Sequence, residues 1–151
     1  MLLPVATSAQ QLMGTSGDWR IFTLKNGNSK TCYIASVPTK KAGTYTSRDE
    51  PYVLVTKRGK AYEVSVSSGY KYKKDKDVEV KIDNNKPHGL FVDGELAWAY
   101  DAAKDAALVK AMKAGTRMIV QGTSWKDTIS TDTYSLSGIT RAIQEMDGLC
   151  K

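Results

Sequence analysis

Soft metal ligands are nearly missing from this chain: its 151 residues include two cysteines and one histidine. A structural zinc site takes four such ligands, so none can be built here and no metal ion is expected. Long apolar runs are missing too. No stretch approaches about 18 consecutive apolar residues, so nothing in the sequence reads as a membrane-spanning helix. Acidic residues are the minority, 16 against 22 Lys and Arg, for a formal net charge of +6. That balance favours polyanionic surroundings, although it governs solubility and encounter rather than mechanism. Catalytic groupings are also scarce. His88 is the one candidate base, and it stands in the loop-like run Asn84-Asn85-Lys86-Pro87-His88-Gly89. No Gly-x-Ser-x-Gly elbow occurs, and Ser135 follows Tyr134 in a strand-like stretch. No triad is read, no catalytic residue is assigned and no cofactor is expected.

What is present suits one globular domain. Apolar residues make up 41% and charged residues 25%, and a chain of this size buries roughly 68–70% of its extended surface. The two cysteines, Cys32 and Cys150, lie towards opposite ends of the chain. An even pair so placed suits a disulfide in an oxidising compartment; two unrelated buried thiols are the alternative. A bridge would close a loop of about 118 residues, for which chain entropy gives an upper figure of about 4–5 kcal/mol. The opening residues point to export as well. Leu2 to Gln10 is a fading apolar run followed by Thr7-Ser8-Ala9, a small-x-small pattern of the kind found at signal cleavage sites. Residues 1–16 are therefore read as the remnant of a signal peptide or a disordered segment, and 17–151 as a single domain.

Most of that domain alternates with period two between turn signals, as half-buried strands do. Trp19 to Lys25 precedes the hairpin pair Asn26-Gly27, and Lys30 to Val37 places Cys32, Ile34 and Ser36 on one face. Further strands are expected over Tyr52–Thr56, Lys60–Ser67, Asp77–Ile82, Leu90–Tyr100 (a hairpin about Asp93-Gly94), Arg117–Val120 and Thr128–Leu136. Two segments change period. Ala102, Ala106, Val109 and Met112 recur at helical spacing before Gly115, a C-cap position; Ile139, Ile143, Met146 and Cys150 do so after Ser137, a candidate N-cap. The expected fold is mostly β, an antiparallel sandwich with two short helices over about 101–114 and 137–149. The second helix would carry Cys150 to the strand that holds Cys32.

The last third of the chain carries a recognisable pattern. Ser124-Trp125-Lys126-Asp127-Thr128, then Tyr134-Ser135-Leu136-Ser137-Gly138, Ala142 and Cys150, resembles the invasion-associated locus B family of bacterial proteins. That family's pattern runs Ser, a basic residue, Gly-Thr, then Tyr-Ser-Leu-x-Gly, an Ala and a terminal Cys. Gly17-Asp18-Trp19, Cys32-Tyr33, Ala97-Trp98, Gly115 and Gly122 extend the likeness over about 17–151. Asp127 departs from the pattern's Gly, and Ile139 from a frequent aromatic. The resemblance implies an immunoglobulin-like sandwich in a periplasmic, outer-membrane-associated or secreted protein of Gram-negative bacteria, and it carries over no catalytic residues.

One candidate binding segment stands out. Tyr70-Lys71-Tyr72-Lys73-Lys74 interleaves aromatics with positive charge, as a surface that reads anions or stacks on sugars would; a solvated hairpin connection is the alternative. Arg48, Lys57 and Arg58 are candidates to extend the patch. Trp19, Trp98 and Trp125 are read as core anchors, with a ligand cradle as the alternative. Asp83-Asn84-Asn85 and Asp93-Gly94 offer oxygens but lack EF-hand spacing, and read as turns. The expected activity is that of an exported, non-enzymatic envelope module, with a protein or an anionic or glycan component as partner. An envelope-acting hydrolase is the alternative, and nucleic acid is disfavoured by the export signs. His88→Ala is expected to leave melting temperature and every binding property unchanged; loss of an activity in that variant would contradict the reading.

Overall fold

The computed structural model describes residues 9–151. Eleven strands and two helices follow one another: β1 (Ala9–Ser16), β2 (Trp19–Asn26), β3 (Ser29–Ser36), β4 (Lys40–Gly43), β5 (Tyr52–Arg58), β6 (Ala61–Ser67), β7 (Val78–Ile82), β8 (His88–Asp93), β9 (Leu96–Trp98), α1 (Ala102–Ala114), β10 (Arg117–Thr123), β11 (Ile129–Ser135) and α2 (Ile139–Leu149). The fold is mostly β, antiparallel and sandwich-like, with the two expected helices. Alternation explains most of the strands. Trp19, Ile21 and Thr23 of β2 turn inward, as do Cys32, Ile34 and Ser36 of β3 and Val78, Val80 and Ile82 of β7.

The strand order is β1-β2-β3-β5-β6-β9-β8-β7-β10-β11-β4. The two halves of the sandwich meet in β8. Its first residues pair with β7 (Val80 opposite His88, Val78 opposite Leu90), and its last pair with β9 (Phe91 opposite Trp98, Asp93 opposite Leu96). Inward side chains of both halves join one buried cluster, which α2 completes with Ile139, Ala142, Ile143 and Met146. Burying side chains of this size contributes about 1.5–3 kcal/mol each.

The structure corrects several expectations in detail. Residues 1–8, which hold most of the signal-like stretch, lie outside the described residues. From Ala9 onward, however, the chain is neither tail nor coil: β1 pairs antiparallel with β2 from Ala9–Lys25 to Ser16–Trp19, so the domain boundary does not lie at Gly17. An edge strand has a neighbour on one side alone, and β1 buries little, so no period-two signal marks it. The ladder also shifts register between Leu12 and Gly14, which interrupts any alternation. The all-exposed β4, Lys-Lys-Ala-Gly, escaped notice for the same reason. The first hairpin turns at Gly27-Asn28 rather than Asn26-Gly27, since Asn26 pairs with Ser29 and Gly27 takes φ 65°.

Helix boundaries are close to expectation, but faces and caps differ. In α1 the buried stripe is Leu108, Val109 and Met112, while Ala102 and Ala106 are exposed. Asp105 shares that inner stripe because its carboxylate accepts the Val64 N–H of β6 at 2.9 Å. Gly115 does end α1, yet in an extended conformation; a Cβ there would lie 2.4 Å from Ile82. Gly138, at φ 85°, is the N-cap of α2 in place of Ser137. A left-handed glycine is needed because Ser16 and Gly17 cross it closely, and a Cβ on Gly138 would meet the Ser16 carbonyl at 2.2 Å. The Ser137 carbonyl instead accepts the Asp18 N–H.

Cys150, at the end of α2, is bonded to Cys32 of β3 across 118 residues. Asp147 reinforces the same junction, accepting from Lys57 Nζ at 2.8 Å and from the Tyr62 hydroxyl at 2.7 Å. Alkylation and mass measurement of protein taken from its own cells should find no free thiol. Reduction of the folded domain should lower its unfolding free energy by about 2–5 kcal/mol in a urea titration.

Candidate functional site

Alternation along β11 sends Ser130, Asp132 and Tyr134 inward, a polar set where apolar residues would be expected. Charge in such a place must be paired. Arg48, on the connection between β4 and β5, meets Asp132 with both guanidinium amines, at 2.7 and 2.5 Å. The two side chains are 3% and 1% exposed, so this is a fully buried ion pair. Arg48 also donates to the Ser68 carbonyl at 3.1 Å and the Tyr45 hydroxyl at 3.0 Å, and lies over the Tyr45 ring. Burial works against its charge, but the bonds to Asp132 and Tyr45 outweigh it and hold the guanidinium more firmly protonated than usual.

Around this pair the tyrosines of the candidate segment turn inward. The Tyr72 hydroxyl shares a hydrogen with Ser68 at 2.7 Å, and the Tyr70 hydroxyl one with Ser130 at 2.6 Å. The two rings meet edge to face. Burial pushes the pKa of Tyr70, Tyr72 and Tyr134 above the ordinary phenol value, so all three keep their proton. Gly122 of β10 permits the arrangement: a Cβ there would stand 2.7 Å from the Tyr70 hydroxyl and 2.9 Å from that of Ser68.

The interleaved segment therefore divides by role. Tyr72 is buried and Tyr70 half-buried, both with their hydroxyls in the inner network, and Lys71, Lys73 and Lys74 remain outside. The exposed aromatic at this corner is Trp125, which is 59% exposed and is no core anchor. Residues 71–73 run beside 123–125, joined by Lys73 N–H to the Thr123 carbonyl and Trp125 N–H to the Lys71 carbonyl, 2.9 and 3.0 Å. Lys126 lies over the Trp125 ring at 5.1 Å. Lys71, Lys73, Lys74, Lys76 and Lys126 all stand exposed here, against Asp75 and Asp127 within the same two segments.

The tip itself is stiff. Ser124 Oγ bonds the Thr128 hydroxyl at 2.6 Å and accepts the N–H groups of Lys126 and Thr128. Asp127 takes φ 65°, the left-handed region where the family pattern has Gly, and its carboxylate pairs with Lys73. The departure read in the sequence thus keeps the turn and ties it to the basic segment.

The other candidates fall elsewhere. Lys57 and Arg58 sit at the hairpin end of β5 and β6, opposite the end where Ser67 and Ser68 lead into the segment, so neither joins the patch, and Arg48 is buried beneath it. Trp19 is a core anchor whose indole donates to the Ser135 carbonyl, while Trp98 is half-buried against Phe91. Asp83 accepts the N–H groups of Thr116 and Arg117, which is turn chemistry. His88 lines a pocket of about 350 Å³ with Asp77, Tyr100 and Lys104, and no Ser, Thr or Cys is among its lining residues. A larger groove of about 710 Å³ runs along the outer face of β2, β3 and β5, floored by the stacked rings of Phe22 and Tyr33.

In the sequence Trp125 groups with Trp19 and Trp98, as core or cradle, because a tryptophan between strands reads as core; the structure sets it apart from them, beside the basic segment. Its placement in a polar run, Ser-Trp-Lys-Asp-Thr, is the signal that would have marked it. Removing either partner of the ion pair, as in Arg48→Leu or Asp132→Leu, should lower stability by about 3–5 kcal/mol in urea unfolding. The double exchange should recover much of that loss.

Comparison with known proteins bears on the whole of this architecture. The crystal structure of invasion associated protein b from Bartonella henselae superposes with a TM-score of 0.68 at 16% identity, over 92% of this chain and 97% of that one. Identity that low speaks for the fold alone. The chain matches no curated protein in sequence. The sequence model of the family described as "Invasion associated locus B (IalB) protein" matches residues 19–147, and this chain belongs to that family.

Proposed function

We propose that the chain is an exported, non-catalytic binding domain of the bacterial envelope, and that it engages an anionic glycan at the Trp125 corner. Export is supported by the Cys32–Cys150 bridge, since such bonds persist in oxidising compartments, and by the small-x-small stretch ending at Ala9. Peripheral association with the outer membrane follows if the glycan is lipid-linked. Among the described residues no Ser, Thr or Cys lines the His88 pocket, so no Ser–His or Cys–His pair stands there, which favours binding over hydrolysis of that kind.

The observation that carries the reading is an exposed indole set among lysines from two segments, with a hydrogen-bonded base beneath it. An indole face stacks on the apolar face of a sugar ring or packs under a cation, while ammonium groups take the acidic substituents. A base that is already ordered adds to affinity, because little side-chain and loop freedom is lost on binding. Attraction between exposed charges is screened by salt, with a Debye length of about 8 Å at physiological ionic strength.

Titration of the purified protein with lipopolysaccharide, followed by tryptophan fluorescence and calorimetry, tests this. Binding should weaken steeply as salt is raised. Trp125→Ala should reduce affinity by about tenfold, as loss of one stacking contact of about 1–3 kcal/mol implies. Charge reversal at Lys71, Lys73 and Lys74 together should abolish binding. Undiminished binding by that triple variant would sink the assignment.

A further inference from the structure

The two edges of the sheet are built differently. β4, at one end of the strand order, is four residues long and carries Lys40 and Lys41. β1, at the other end, is eight residues long, Ala-Gln-Gln-Leu-Met-Gly-Thr-Ser, and carries no charge and no proline. Short, lysine-bearing edges resist pairing with another strand, whereas an uncharged edge of eight residues, even one bulged as β1 is between Leu12 and Gly14, still offers N–H and C=O groups to one. Two of the large exposed apolar side chains, Leu12 at 52% and Met13 at 43%, lie on β1. Leu12 stands opposite Phe22, on the face of the outer groove, so the edge, which no other described residue covers, and the apolar groove are continuous.

We propose that β1 pairs antiparallel with β1 of a second copy of this chain, about a two-fold axis near Leu12 and Met13. The chemistry of the edge selects its own copy. In a two-fold pairing each side chain meets side chains of the same strand, and like charges placed opposite one another are destabilising. Elsewhere a chain of net charge +6 repels itself. Along β1, Gln10, Gln11, Thr15 and Ser16 carry groups that both donate and accept, so they complement themselves, and Leu12 and Met13 supply apolar cover at the centre. A two-fold contact uses up both β1 edges. Lys40 and Lys41 block the remaining ones, so assembly closes at the dimer and does not run on into a fibre.

A single added strand pair buries less than a standard interface, so dissociation in the micromolar range is expected. Sedimentation equilibrium of the oxidised protein over about 1–200 µM measures it. The wild type should pass from monomer to dimer in that range. Leu12→Lys and Met13→Lys should each weaken association at least about tenfold, with unchanged circular dichroism, because like charges then face each other across the axis. Lys41→Ala, on the far edge, should associate as the wild type does. A wild type that remains monomeric throughout, or a folded Leu12→Lys protein that dimerises undiminished, would overturn the proposal. The corner around Trp125 plays no part in these measurements, so either reading can fail without the other.

Discussion

An open sheet with an apolar inner face must have that face covered, and here the covering of β2 and β3 falls to α2. Ile21 and Ile34 are fully buried because Ile139, Ala142, Ile143 and Met146 lie over them. The helix is the last element of the chain and its target the second and third strands, so the contact joins parts of the sequence that unfolded chain entropy keeps apart. Three devices hold it. At its start the Gly17 and Gly138 turns interlock; at its end Asp147 ties it to Lys57 and Tyr62; and Cys150 is bonded to Cys32. The rest of the sandwich is ordinary strand pairing that this closure makes worthwhile.

The opposite problem is solved next to the Trp125 corner. There β11 turns a carboxylate inward, and the fold answers with Arg48 and a ring of hydroxyls instead of apolar cover. Such a pair stabilises little on balance against an apolar alternative, but half of it is costly. What it supplies is position. The connection carrying Arg48 and the segment carrying Tyr72 are each held by several buried hydrogen bonds, and the lysines above rest on that order.

How far the sequence announced this depends on where burial falls. β7, with its strict alternation of Val78, Val80 and Ile82 against Glu79 and Lys81, was legible because one face is buried and the other wet. The same holds for β2, β3 and α2, whereas α1 was legible in its extent but not in its buried face. β1 and β4 were not legible, since an edge with few buried side chains has no period to show. Gly138 was not recognised as a cap, because what demands it is the approach of Ser16 from 122 residues away in sequence. The corner was legible in part. Lys71, Lys73 and Lys74 are where a solvated basic surface was expected, but the hydroxyls of the neighbouring Tyr72 and Tyr70 point inward to Ser68 and Ser130, partners that no local pattern names.

The sharing of β8 between the two halves has a mechanical meaning. In a sandwich of two separate sheets, the layers are held by side chains alone and can slide on them. Here a run of six residues is hydrogen-bonded first to one layer and then to the other, so any sliding would have to stretch the backbone between Leu90 and Phe91. That side of the molecule acts as a fixed spine. Local opening is expected first at the strands that end the sheet, β1 and β4, each of which has a single neighbour among the described residues.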